Sequence, residues 1–158
     1  MRRTLPGGLE LDDDVARVDV DAVHAFISQQ SYWGRGRTRE LQERAIRGSA
    51  RVVGLYLGSR QVGFARAVSD CATVAYLADV YVLPDYRGRG LGLELVRETV
   101  DGALDGAPEL RWLLHTADAQ RLYAKLGFSE ERPLYPLMER GRRRPADGST
   151  EAAASRPQ

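Results

Sequence analysis

The sequence predicts an α/β fold built on a mixed β-sheet. Strand-like apolar runs first follow one another along the chain and then alternate with segments of helical periodicity, a pattern typical of this class. The residues Gly58-Ser59-Arg60 lie between two such runs and predict a hairpin turn. A glycine-rich turn then joins a long apolar strand directly to a helix, as α/β units require.

Four segments have apolar residues at every third or fourth position, which is typical of helices packed on one face. These helices are predicted over residues 19–29, 38–47, 91–104 and 119–126. Thr38 is the expected N-cap of the second helix, and Leu41, Ala45 and Ile46 are its expected apolar stripe. The remaining apolar runs predict strands over residues 9–11, 52–57, 62–68, 73–83, 111–115 and 134–138.

The composition restricts the classes of partner. Lys and Arg number 23 and Asp and Glu number 22, so the formal net charge is +1. This balance argues against a nucleic-acid or membrane surface. A single cysteine and two histidines make a disulfide framework and a bound metal improbable. No apolar run approaches the ~20 residues of a membrane span, so we expect a soluble protein of the cytoplasm.

The length of 158 residues suits a single domain with short extensions. We expect residues 1–8 to form a flexible N-terminus and residues 9–140 to form the domain. Residues 141–158 are small, polar and without apolar periodicity, which predicts a disordered tail.

The turn after the strand at 73–83 is the most informative stretch. It carries glycine at three alternate positions, Gly88, Gly90 and Gly92, and a helix begins within it. Glycine lets backbone amides face a ligand, and the first amides of a helix lack internal partners, so the pattern predicts a phosphate or pyrophosphate site. Arg87 and Arg89 add positive charge. The Walker and dinucleotide patterns are absent, and spacing alone leaves a ligand-free surface turn open.

Two motifs resemble those of the GNAT (Gcn5-related) N-acetyltransferases. Arg87-x-x-Gly90-x-Gly92 is similar to the family's acetyl-coenzyme A signature, and residues 119–128 (Ala-x-x-Leu-Tyr-x-Lys-x-Gly-Phe) are similar to its C-terminal motif. The resemblance implies a mostly antiparallel sheet with a splayed strand pair and acetyl-coenzyme A (acetyl-CoA) as co-substrate. The pantetheine arm would follow the strand that ends near Val82, whose amide would face the thioester oxygen. The implied cofactor-binding residues are Tyr81, Val82, Arg87, Gly88, Arg89, Gly90, Leu91, Gly92 and Thr116.

The resemblance also implies catalytic candidates. Tyr123 occupies the position of the family's usual general acid, with a packing tyrosine as the alternative. Asp79 stands where polyamine-type relatives carry the second residue of a Glu-Asp pair, but Ala78 replaces the glutamate. Asp79 is therefore a candidate base or ammonium anchor, with a structural role in binding backbone amides as the alternative. Strand alternation would place it on one face with Leu77 and Tyr81 unless a bulge intervenes.

The acceptor site is expected near the loop that follows the first helix. Tyr32 and Trp33 on this loop, Asp79, and His115 at a strand end are the candidate substrate-binding residues. Thr116 is either a pantetheine contact or a helix cap. The prediction is an N-acetyltransferase that transfers acetyl directly from acetyl-CoA to a small-molecule amine. A non-catalytic acyl-CoA-binding module on the same fold and a nucleotide-binding protein are the alternatives, and a homodimer stays open.

Overall fold

The computed structural model describes residues 1–102, 110–129 and 138. Its strands form one six-stranded sheet in chain order. All neighbours are antiparallel except β5 and β6, which are parallel. This architecture confirms the predicted α/β class with a mixed, mostly antiparallel sheet. The strands are β1 Arg2–Leu5, β2 Leu9–Asp12, β3 Arg51–Leu57, β4 Arg60–Ser69, β5 Val74–Val82 and β6 Arg111–Leu113, and the helices are α1 Val20–Gln30, α2 Arg39–Arg47, α3 Leu91–Asp101 and α4 Gln120–Ala124.

The element bounds agree with the sequence prediction to within a few residues. Thr38 is the N-cap of α2, and its hydroxyl accepts the Leu41 amide at 3.3 Å. Leu41 itself is 41% exposed, whereas Gln42 is fully buried, so the buried face of α2 differs from the predicted stripe. Residues 103–104 of the predicted third helix, the predicted strand at 134–138 apart from Met138, and the predicted tail at 141–158 lie outside the described residues.

The N-terminus differs from the flexible segment that the sequence predicts for residues 1–8. Residues 2–5 form β1, which pairs antiparallel with β2 after a single helical turn over Pro6–Gly8. Leu5 and Leu9 are buried at this hairpin. Its arginines are paired as well, since Arg2 contacts Asp12 at 3.0 Å and Arg3 contacts Glu98 at 2.8 Å. Leu5 is the one buried residue of the four in β1, which is why local apolar periodicity does not reveal this strand.

Helices cover both faces of the sheet. Alternation along β3 sends Val53 and Leu55 to one face, where they pack with α3 and Tyr123 of α4. It sends Val52 to the other face, which packs against α1 and Ile46 of α2. We call these the α3 face and the α1/α2 face. Among the described residues, no helix is long and apolar enough to cross a membrane.

A bulge in β5 sets the direction of Asp79. Phe64 pairs with Tyr81 and Arg66 pairs with Ala78, so Asp79 and Val80 together oppose one residue of β4. Asp79 has a φ of 53°, a left-handed conformation that aspartate adopts more readily than most residues. The bulge corrects the simple alternation expected for this strand.

The packing of the residues on either side of the bulge shows which face each of them occupies. Leu77 lies in the cluster on the α3 face, whereas Asp79 bonds Arg66 of β4 and Gln42 of α2 on the opposite face. Tyr81 packs on this same α1/α2 face. Asp79 therefore shares a face with Tyr81 as expected, but not with Leu77.

The parallel pair β5/β6 opens into a cleft. The two strands are paired only where Val74–Tyr76 meet Arg111–Leu113. β6 then ends, while β5 continues for six residues to Val82. Along those six residues no described strand pairs with the far edge of β5. The predicted splayed strand pair is thus present, and it leaves backbone N–H and C=O groups of β5 accessible to a ligand in the opening.

Candidate active site

Two adjoining clefts lie in and beside this opening. The first, of about 690 Å³, is bounded by the end of β5, the glycine turn and α4, and we call it the glycine-turn cleft. The second, of about 490 Å³, is bounded by the bulge of β5, the residues after β6 and two arginines, and we call it the ion-pair cleft. Both volumes are in the range of small-molecule sites. The residues that line both clefts are Tyr32, Trp33, Val80, Asp118, Ala119 and Tyr123.

The glycine turn presents the N-terminus of α3 to the first cleft. Gly88 and Gly90 both have a φ of 75°, which a side chain would strain. The Leu93 and Glu94 amides bond the Gly90 carbonyl, at 3.0 and 3.2 Å, and no side chain in the described part of the chain caps the helix. The preceding amides have no acceptor within the helix, and the helix dipole adds partial positive charge there. This is the geometry of an anion site, and it fits the pyrophosphate of acetyl-CoA.

Gly92 has a different function in the packing. A Cβ at this position would lie 3.1 Å from the Leu122 side chain, so glycine allows α3 to approach α4 closely. This contact fixes α4, and therefore its next residue, Tyr123, at the boundary of the two clefts.

The arginines of the turn lie on different sides of it. Arg87 lines the glycine-turn cleft, and its Nε donates to the Val82 carbonyl at 2.9 Å. Arg89 instead lies 5.9 Å from the Tyr86 ring and donates to the Asp85 carbonyl, on the β1 side of the turn. The structure therefore places Arg89 away from the cleft for which it is predicted. That cleft is lined instead by two cationic residues of the C-terminal motif segment, Arg121 and Lys125. Neither was predicted from the sequence to bind a ligand.

The backbone of Val82 faces the opening. The Leu83 amide donates to Val62 of β4 at 2.8 Å, so in an antiparallel ladder the preceding amide, that of Val82, points to the other edge. Its carbonyl points the same way, because it accepts from Arg87. The Tyr81 side chain is buried and stacks on Phe26 with ring centroids 4.0 Å apart, and burial raises the pKa of its phenol. Tyr81 thus supports the strand end from the α1/α2 face.

Tyr123 lies at the junction of the clefts. Its side chain is 9% exposed and packs edge-on against Phe128, with centroids 5.9 Å apart. Within the part of the chain that the structure describes, its hydroxyl makes no hydrogen bond. Burial raises the pKa of the Tyr123 phenol to about 12, so the hydroxyl keeps its proton at neutral pH. The arrangement leaves a protonated donor free for a ligand.

Asp79 lies in an ion-paired cluster at the second cleft. Its Oδ2 accepts from Arg37 Nη1 at 2.6 Å, from Arg66 Nε at 2.7 Å and from Gln42 Nε2 at 3.4 Å. Burial alone would raise the pKa of this carboxyl, but Arg66 and Arg37 outweigh burial and hold its pKa below its usual range. A carboxylate held by two guanidinium groups is a poor proton acceptor. The geometry therefore argues against Asp79 as the general base. It favours a structural role for Asp79, in which the partners are arginines rather than the expected backbone amides.

We expect Asp79→Asn to lower the free energy of unfolding at pH 7 by about 1–3 kcal/mol, because two largely buried arginines lose their counter-charge. Since the folded-state pKa is lowered, this stabilisation is present above the unfolded pKa near 3.9 and is lost as the pH falls towards the folded value. The difference between variant and parent, measured by urea unfolding, should therefore shrink below about pH 4.

Asp21→Asn is the matched control, because Asp21 also pairs with an arginine, Arg39, but its side chain is 75% exposed. Its free energy of unfolding should equal that of the parent within error. If Asp79→Asn were as stable as this control, the cluster would not contribute to folding.

The predicted acceptor residues also meet at the ion-pair cleft. Tyr32 and Trp33 are 50% and 41% exposed and pack edge-to-face, and the Tyr32 hydroxyl accepts the Ala117 amide at 2.8 Å. His115 shares a hydrogen bond of 2.8 Å between its Nδ1 and the Tyr76 hydroxyl. Thr116 caps the turn before α4, its hydroxyl accepting the Ala119 amide at 3.0 Å, as the capping alternative expects. The loop, the strand end and the cap together form one wall of the cleft.

Sequence reasoning missed the partners of Asp79. Arg37, Gln42 and Arg66 lie 42, 37 and 13 residues from it in sequence. Gln42 is one of the two buried residues of α2, with Ile46, and no pattern in the sequence marked it as buried.

Comparison with known proteins agrees with this geometry. Residues 48–130 match the family model for the acetyltransferase (GNAT) domain. The chain is 31% identical to the acetyltransferase-named protein FG08082 of Gibberella zeae over 147 residues, 80% of this chain and 82% of that protein. A 58-residue stretch is 40% identical to thialysine N-epsilon-acetyltransferase of Bos taurus, covering 35% and 34% of the two chains.

A solved structure gives the same result. The GNAT-family protein xcc2953 of Xanthomonas campestris pv. campestris superposes with a TM-score of 0.77 at 38% identity, over 87% of this chain and 95% of that one. Since the family model spans more than half of the chain and relatives align over most of it, the chain belongs to the GNAT family of acetyltransferases.

Proposed function

We propose that this protein is an acetyl-CoA-dependent N-acetyltransferase that transfers acetyl directly to the amine of a small molecule in the cytoplasm. The observation that carries the proposal is the position of Tyr123, a protonated phenol on the boundary between the glycine-turn cleft and the ion-pair cleft. A two-substrate transfer needs such a shared boundary, with one substrate in each cleft and the reacting atoms between them.

The glycine-turn cleft is suited to coenzyme A. The amides at the start of α3 would bind the pyrophosphate, and Arg87, Arg121 and Lys125 would supply positive charge. The pantetheine arm would lie along the open edge of β5, where the Val82 amide is free to face the acyl oxygen. One such donor is worth about 2.7–4 kcal/mol to an acyl transfer.

The reaction requires a proton donor for the leaving group. Acetyl-CoA supplies the acetyl group as a thioester, and coenzyme A departs as a thiolate. As the amine nitrogen bonds the acetyl carbon and the C–S bond breaks, Tyr123 would donate its proton to that sulfur, since its hydroxyl is protonated and unbonded. The proton that the amine loses would pass through solvent and restore the phenol. Cys71 lies in the β4–β5 turn and lines neither cleft, which favours direct transfer over a cysteine acyl-enzyme.

The ion-pair cleft is suited to the acceptor. Tyr32 and Trp33 would form an aromatic wall, and His115 would hydrogen-bond the amine through its remaining ring nitrogen. The bovine relative is named for acetylating an amine, which supports nitrogen as the acceptor atom. Asp79 would act as a positioning residue that orients the two arginines of this cleft.

The direct test measures acetyl-CoA binding by calorimetry and amine-dependent release of coenzyme A across a panel of small primary amines. We expect binding without an amine and release of free thiol only when an amine is added. Binding with no release for any amine would instead identify the non-catalytic acyl-CoA-binding module, and no binding would overturn both.

A further inference from the structure

We infer that the acceptor amine carries a carboxylate, which Arg37 and Arg66 bind in the ion-pair cleft; this inference rests on the proposed function. The two guanidinium groups converge on one oxygen of Asp79, at 2.6 and 2.7 Å. All three residues line the same cleft as Tyr123, so a ligand that fills this cleft meets both the arginines and the phenol.

The cluster around Asp79 carries a net positive charge. The cluster holds two cations, one anion and the neutral Gln42 amide, so it keeps a net charge of +1. Asp118 also lines the cleft, but it lies in the exposed loop at the boundary shared with the glycine-turn cleft. One further negative charge at the arginines would therefore neutralise a site from which water is partly excluded.

The two arginines have hydrogen-bond donors beyond those that Asp79 uses. Arg37 uses Nη1 for both Gln42 and Asp79, and Arg66 uses Nε for Asp79 and Nη1 for Ser49 at 3.5 Å. Among the described residues, the Nε and Nη2 groups of Arg37 and the Nη2 group of Arg66 have no acceptor. The arginine side chains are 18% and 12% exposed and both line the ion-pair cleft, so a ligand there can reach this largely buried cluster.

Buried Asp79 holds the two guanidinium groups in a fixed orientation. Asp79 is 2% exposed, and the β5 bulge and the α2 side chain Gln42 hold it in place. The guanidinium groups are therefore oriented before a ligand binds, which lowers the entropic cost of binding. Planar, fixed guanidinium groups match the planar carboxylate. A carboxylate also carries the single charge that the cluster lacks, whereas a phosphate monoester would bring nearly two.

The test compares acceptors that have the same amine and differ only in the distant group. ω-Amino carboxylates are compared with their carboxamides, and 4-aminobenzoate with 4-aminobenzamide, by coenzyme A release at saturating acetyl-CoA. We expect kcat/KM to favour the carboxylate by about 10-fold or more, the ratio for one charged hydrogen-bonded pair. An aminoalkyl phosphate in the same series tests the other anion, and a preference for it would overturn the carboxylate assignment.

Arg66→Lys tests the residue. Lysine keeps the positive charge beside Asp79 but lacks the planar guanidinium that can donate two parallel hydrogen bonds to a carboxylate. The ratio of kcat/KM for the carboxylate to kcat/KM for the carboxamide should therefore fall towards 1. The ratio is informative even if the variant is slower, because a loss of structure would lower both rates alike. Arg39→Lys is the matched control, since Arg39 forms ion pairs with Asp21 and Glu43 on the surface and lines neither cleft.

The outcomes separate the inference from the proposed function. Acetylation of amines with no preference for the carboxylate, or a preference that Arg66→Lys leaves unchanged, would overturn the inference and leave the proposed function standing. Absence of acetylation for every acceptor would overturn both.

Discussion

Tyr123→Phe is expected to lower kcat for acetyl transfer by about 10²-fold, at the lower end of general-acid effects, without weakening acetyl-CoA binding. Phenylalanine keeps the ring that packs against Phe128 and removes only the hydroxyl. That hydroxyl has no partner among the described residues, so its loss exposes no unsatisfied group and the melting temperature should hardly change. The measurements are kcat, the Kd of acetyl-CoA by calorimetry, and the melting temperature.

Tyr56→Phe supplies the matched control. Tyr56 is fully buried on β3, lines neither cleft, and has a hydroxyl with no hydrogen-bond partner among the described residues. It loses the same atom at a site remote from the reaction, so kcat should equal that of the parent. Full activity in Tyr123→Phe with a good acceptor would remove Tyr123 as the acid.

Two further measurements connect the loss to proton donation. The thiolate of a more acidic thiol leaves with less help from a proton donor. With an acyl donor made from such a thiol, the decrease in kcat caused by Tyr123→Phe should therefore be smaller. Because burial raises the pKa of Tyr123 to about 12, the parent should keep this acid protonated between about pH 8 and about pH 10. A parent rate that fell with an apparent pKa near 10, in step with ionisation of an ordinary phenol, would contradict the assignment.

The glycine turn, which is the candidate phosphate site, was predictable from sequence because its geometry is local. Gly88, Gly90 and the first turn of α3 are consecutive in the chain, and positive φ values and free helical amides follow from neighbouring residues alone. The positions of Tyr123 and Thr116 followed in the same way, from a short motif and a cap. Arg89 is the exception, because the side of a turn on which a long side chain lies depends on the packing around Tyr86.

The ion-pair cleft, which we propose as the acceptor site, was predictable only in part because its residues meet through tertiary structure. The sequence identified Asp79 as an unusual charge in a strand, but a one-residue bulge decides which face it occupies. Its partners come from the loop before α2, from α2 and from β4. Local sequence periodicity cannot predict contacts between residues so far apart in the chain. Only the folded sheet shows that two arginines pair with the Asp79 carboxylate.

The glycine turn permits a test of the proposed coenzyme A site that is independent of catalysis. Gly90→Asp is expected to weaken acetyl-CoA binding by more than about 10²-fold, measured by calorimetry on the folded protein. The new carboxylate would stand at the N-cap of α3, where it can itself bond the amides that the pyrophosphate needs, and its charge would repel the phosphates. A Cβ at Gly90 meets nothing within 4 Å, so the fold should accommodate the substitution.

The cost of an aspartate at positive φ must be separated from the effect on the ligand, and Gly58→Asp makes that separation. Gly58 has a φ of 60°, a Cβ there also meets nothing within 4 Å, and its turn between β3 and β4 borders neither cleft. Both variants should lose similar stability from backbone strain, on the order of 1–3 kcal/mol. Only Gly90→Asp should lose affinity for acetyl-CoA. Equal affinities in the two variants would show that the N-terminus of α3 does not bind the pyrophosphate, even if transfer activity were present, and the anion would then have to bind elsewhere along the open edge of β5.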